Sequence, residues 1–122
     1  MKPETKFWQD VRKIKSEIRW TRLENLSSLG TPDLLGYNNN GVFFTVELKY
    51  TKTNKITFSP HQIAFHIKHP INTFILVLDA SCKTPKLYEG KRIRDLAAGG
   101  LVHKPMLQGF PDIKNFLELL GA

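Results

Sequence analysis

The segment Val42-Phe43-Phe44-Thr45-Val46-Glu47-Leu48-Lys49-Tyr50 constrains the fold of this chain more than any other. β-Branched and aromatic residues dominate it, which favours a strand, and its length and apolar character predict a central place in a sheet. Asn38-Asn39-Asn40-Gly41 precedes it, and Asn-Gly is the strongest short hairpin signal because both residues tolerate positive φ. Asp33-Leu34-Leu35-Gly36-Tyr37 then reads as the partner strand. A chain with this hairpin builds a sheet, and its remaining segments must cover it.

Those segments alternate. Phe7, Val11, Ile14 and Ile18 recur at helical spacing opposite Arg12, Lys13, Lys15 and Arg19, predicting an amphipathic helix over 4–20. Thr21 to Asn25 reads as short and extended, and Ser27, Ser28, Gly30 and Pro32 mark a loop. Ser59-Pro60-His61-Gln62 has the form of a capping box and predicts a helix to Lys68. Ile71–Leu78 reads as a second buried strand, Lys86–Tyr88 as a short edge strand, and 91–98 and 112–120 as helices. The order predicts one α/β domain over 1–122, a central mixed sheet flanked by helices.

Composition narrows the function. The single cysteine, Cys82, excludes an internal disulfide and a cysteine-built zinc site, and points to a reducing compartment. No stretch approaches the roughly 18 apolar residues of a membrane span, and Met1-Lys2-Pro3-Glu4 opens no signal peptide, so a cytoplasmic protein is expected. Eighteen Lys and Arg against eleven Asp and Glu give a net charge of +7, which favours a polyanionic partner such as nucleic acid.

Within the long strand, Glu47 and Lys49 emerge on one face while Val46 and Leu48 go to the other. Two charges in so apolar a strand are costly unless something uses them. Asp33 begins the partner strand, so the hairpin brings it near Glu47. Two close carboxylates invite a hard divalent cation such as Mg²⁺, and an adjacent ammonium can orient a water or neutralise charge on a phosphate. The pattern of acid, any residue, then lysine also occurs at Glu4-Thr5-Lys6, Glu89-Gly90-Lys91 and Asp112-Ile113-Lys114. Those lie at a fraying terminus, in a turn and at a helix start. Only Glu47 follows a Pro-Asp by one hairpin.

The ordered set Glu24-Asn25, Gly30-Thr31-Pro32-Asp33, Glu47-Leu48-Lys49 and Ser59-Pro60-His61-Gln62 resembles the PD-(D/E)xK nuclease superfamily, in particular its compact VRR-NUC branch. Stand-alone members of that branch are common in phages and resemble Holliday junction resolvases. The resemblance covers roughly 7–80 and implies a restriction-endonuclease-like core. It implies Asp33 and Glu47 as ligands of Mg²⁺ (or Mn²⁺), with the Leu48 carbonyl completing the site and Lys49 as catalytic lysine. Glu24 matches the supporting acid, which ligates the metal directly or through water, and Glu17 on the first helix is a rival for that role. Gln62 matches a family glutamine but also has a helix to cap.

The expected activity is therefore a metal-dependent endonuclease acting on branched DNA, working as a homodimer without a nucleotide cofactor. Lys52 and Lys55, just beyond the catalytic strand, and Arg22 are candidates to hold the DNA backbone. A sequence-recognising restriction or homing-type nuclease of the same fold, a non-catalytic DNA-binding module and an RNA substrate remain open alternatives. His66 and His69 fit one helix face without further metal ligands, His61 fits a solvated first turn, and Trp8 and Trp20 fit packing roles.

Overall fold

In a computed structural model, which describes residues 3–23 and 30–122, the chain folds as α1 (Pro3–Lys13), β1 (Arg19–Arg22), β2 (Leu34–Tyr37), β3 (Phe43–Thr51), α2 (Pro60–Lys68), β4 (Thr73–Asp79), β5 (Thr84–Glu89), α3 (Ile93–Gly99), β6 (Leu107–Gln108) and α4 (Phe110–Glu118). The six strands form one mixed sheet in the order β1-β2-β3-β4-β5-β6. Only β3 and β4 run parallel, joined by the α2 crossover; the other neighbours are antiparallel. This is an α/β fold with helices on both faces of the sheet.

Side-chain alternation divides the sheet into two faces. Leu34, Phe44, Val46, Leu48, Phe74, Leu76 and Leu87 point to the first face, where they pack with Phe7, Trp8 and Val11 of α1 and Ile113 and Leu117 of α4. Ile75, Val77 and Tyr88 point to the second, under Ile93 and Leu96 of α3 and Ile63 of α2. Burying a side chain such as Phe44 on the first face contributes about 1.5–3 kcal/mol. Glu47 and Lys49 belong to the second face, paired across the parallel ladder with Ile75 and Val77.

The hairpin forms where its sequence predicts, with a different turn. Gly41 N–H donates to Asn38 O, and of the turn residues only Gly41 has positive φ. The connection is therefore a turn closed by a left-handed glycine, not one with two positive-φ residues. Asn38 anchors it to α4. Its side-chain amide donates to the carbonyls of Leu117 and Leu120, both at 2.9 Å, and its Oδ1 accepts from the N–H groups of Asn40 and Val42.

Three elements differ from expectation. The first helix stops at Lys13 rather than 20, because a local turn at Ser16 and tertiary partners claim the residues beyond it. Ser16 Oγ accepts the Ile18 N–H, Glu118 accepts the Glu17 N–H, and Trp20 stands edge-on to Phe44 at 5.5 Å. β5 extends over Thr84–Glu89, and β6 adds a two-residue strand that no periodicity announces. Among the described residues, no helix is long and apolar enough to cross a membrane.

Candidate active site

The site lies where β2 begins beside the middle of β3. The β2–β3 register pairs Leu34 with Val46, so one step further sets Asp33 opposite Glu47, with both side chains on the second face. Asp33 precedes the strand, and its carboxylate replaces the missing ladder partner: Leu48 N–H donates to Asp33 Oδ2 at 2.7 Å. Even-numbered β3 residues direct their backbone groups toward β2, as the Asn38–Val42 bond shows. The Leu48 carbonyl consequently faces the side of β3 on which Asp33 sits.

Glu47 is only 2% exposed, and its Oε1 has no hydrogen-bond partner among the described residues. Burial pushes its carboxyl far above the ordinary carboxylate range, helped by a hydrogen bond with Asp33 and by Asp33's charge; Lys49 pulls the other way. Without a cation, the close Asp33–Glu47 pair therefore favours holding a proton. Added positive charge beside the pair would reverse that preference.

Lys49 is steered from two sides. Its Nζ donates to Gln62 Oε1 at 3.2 Å and lies 5.0 Å from the centre of the Phe58 ring. Gln62 reaches Lys49 and also caps α2. Its Oε1 also accepts the Ser59 N–H at 2.9 Å, while Ser59 Oγ accepts the Gln62 N–H, which completes the capping box. Gly30, at φ +80°, packs the loop leading to Asp33 against the start of α2. A Cβ there would come within 2.3 Å of the His61 backbone.

The remaining candidates are placed as follows. Glu24 lies outside the described residues. Glu17 lies beyond α1, at the hairpin end of the sheet, where it accepts the Asn39 side-chain amide at 2.8 Å. Lys52 and Lys55 are exposed on the turn after β3. Arg22 is exposed but pairs with Leu34, which puts it on the face opposite Glu47. His61 and His69 are exposed and His66 is buried. Among the described residues, no three His, Cys, Asp or Glu side chains are arranged to hold a metal.

Two participants carried no usable sequence signal. Glu4 opens α1, and its charge makes the smallest of the contributions that raise the Glu47 carboxyl. His66 is fully buried on α2 with both ring nitrogens unpartnered among the described residues. Burial, then the charges of His69 and Lys49, push its pKa down to about 4, so it is neutral. Compared with models of protein families and with curated proteins, the chain matches none.

Proposed function

We propose that this chain is a Mg²⁺-dependent endodeoxyribonuclease (Mn²⁺ serving equally) with a restriction-endonuclease-like core, of the PD-(D/E)xK type and its VRR-NUC branch. One observation carries this reading. A carboxylate at 2% exposure keeps an oxygen without a partner among the described residues, beside a second carboxylate and with a lysine two residues on along the same face. Buried acids so arranged cost stability unless a cation completes them.

The donor set fits a hard ion. Asp33, Glu47 and the Leu48 carbonyl offer oxygen only, and Mg²⁺ keeps waters and takes one or two carboxylates, so a third protein side chain is not required. When bound, it would hold both carboxylates ionised, polarise the scissile phosphate and acidify a water. Asp33, fixed through Oδ2 by the Leu48 N–H, has Oδ1 left to ligate. Lys49, held by Gln62 and Phe58, orients the attacking water or neutralises charge growing on the phosphate. Lys52 and Lys55 contact the DNA backbone beyond the catalytic strand.

The preferred substrate is branched DNA such as a four-way junction, cut by a homodimer whose two-fold matches the junction's symmetry. The resemblance of the four ordered motifs supports this choice, and the net charge of +7 agrees with a DNA partner. The test is cleavage of end-labelled linear duplex, single strand, flap and four-way junction, with RNA counterparts, in Mg²⁺, Mn²⁺ or EDTA. Metal-dependent paired nicks at the junction, lost in Lys49→Ala, are expected. Tight binding without cleavage of any substrate would replace the enzyme by a non-catalytic DNA-binding module.

A further inference from the structure

At the hairpin end of the second face, β1, β2 and the start of β3 leave Arg19 and Phe43 exposed and Tyr37 half-buried. Across these strands, Arg19 pairs with Tyr37 and Tyr37 with Phe43. Paired residues share a face, so all three lie on the same side as Glu47 and Lys49. Phe43 is 59% exposed, Tyr37 partly so, and Arg19 is exposed and forms no ion pair among the described residues. The two rings sit 4.4 Å apart, tilted by 47°. Four residues of strand separate Phe43 from Glu47, about 13 Å, or a few nucleotides of one strand.

An exposed phenylalanine beside a tyrosine on a sheet is unusual without a partner, since an apolar ring left in water forfeits about 1.5–3 kcal/mol of burial. The adjacent unpaired guanidinium suits a phosphate. Aromatic rings on a sheet with a cation alongside are the elements that hold unpaired bases: the ring stacks the base and the cation takes its backbone.

We propose that Tyr37 and Phe43 form a stacking platform for an unpaired nucleobase of the DNA strand being cut, with Arg19 on a neighbouring phosphate. This rests on the nuclease reading and deepens it, because it makes the protein select DNA that offers an unstacked base near the scissile phosphate. The choice among branched, bubble and fully paired substrates is then made by Phe43, outside the metal-binding carboxylates.

The test uses the full chain carrying Glu47→Gln, so that bound DNA stays intact, and oligonucleotides with 2-aminopurine scanned through the unpaired segment of a bubble. Fluorescence quenching at one position on binding is expected, and Phe43→Ala and Phe43→Leu should both abolish it. The ratio of bubble to duplex affinity should fall about ten-fold in both variants, as for a lost base–aromatic stack. Phe43→Leu keeps apolar bulk without a π-face, so full quenching in that variant overturns the platform. Binding without quenching at any position overturns it and leaves the nuclease reading intact. No binding of any DNA overturns both. A dimer that dissociates in Phe43→Ala while quenching persists assigns the patch to a second copy of the chain and overturns the platform.

Discussion

Asp33 Oδ2 accepts the backbone N–H of Leu48 at 2.7 Å, across the residue where the β2–β3 ladder ends. One bond thereby ties a carboxylate to the strand that carries Glu47 and Lys49, and fixes it before any ligand arrives. Preorganisation of this kind is what a charge-stabilising site needs. Asp33→Ala and Lys49→Ala should each lower turnover by about 10²-fold or more, while circular dichroism stays native. Near-normal cleavage by the Asp33→Ala protein would sink the mechanism.

The raised pKa of Glu47 makes a signed prediction. A carboxyl that holds its proton longer in the folded state binds more protons there than when unfolded, so stability falls as pH rises above its ordinary value of 4.5. Metal-free protein should therefore lose melting temperature from mildly acidic to neutral and alkaline pH. Glu47→Gln should remove that loss and raise the metal-free Tm at pH 7 by about 4 °C for each 1 kcal/mol relieved. Mg²⁺ should raise the wild-type Tm at neutral pH and leave the Glu47→Gln protein unchanged. A parallel Mg²⁺ shift in both proteins would place the cation elsewhere.

His66 gives the opposite sign. Its folded pKa is pushed down to about 4 from 6.5, so the unfolded chain gains a proton that the folded one refuses. Its stabilising contribution is lost as pH falls from 6.5 toward 4. An NMR titration should show one imidazole titrating near pH 4, and substitution of His66 should remove that resonance.

Gly30 joins two unfavourable demands, a left-handed φ of +80° and a Cβ position 2.3 Å from the His61 backbone. Gly30→Ala should destabilise by about 2 kcal/mol or more and push the loop that leads into Asp33 away from the start of α2. Chemical denaturation should read the first effect. A cleavage loss in Gly30→Ala under conditions where the protein stays folded should read the second.

Asn38 is buried at 2% exposure and bonds the Leu117 carbonyl of α4 and the Leu120 carbonyl just beyond it while closing the hairpin turn. Asn38→Ala should cost about 1–3 kcal/mol, because it leaves the buried Leu117 carbonyl without this donor, while Leu120 O keeps the Asn40 side-chain amide. Urea unfolding would reveal it. Asn38→Asp should fail to rescue, since a carboxylate cannot donate to Leu117 and Leu120.

Much of the architecture was legible because local and tertiary preferences agree. The apolar run at Val42–Tyr50, the Asn-Gly turn, and the Ser59-Pro60-His61-Gln62 start of α2 each name an element without outside help. The α1 boundary was not legible. Ile14 and Ile18 continue the helical period, but Ser16, Glu118 and the Trp20–Phe44 contact pull the chain out of it. Gln62 shows the two levels meeting, one oxygen serving both a local cap and a distant lysine.

The sequence by itself determined the long strand, the hairpin that follows Asp33, and the placing of Glu47 and Lys49 on one face, because alternation and turn chemistry are local. Only the tertiary structure decided that Asp33 holds the Leu48 amide and that Gln62 and Phe58 steer Lys49. It also decided that the sheet leaves Phe43 exposed beside a half-buried Tyr37. These depend on ladder ends, helix docking and burial, which join residues far apart in the chain and leave no period or spacing to read.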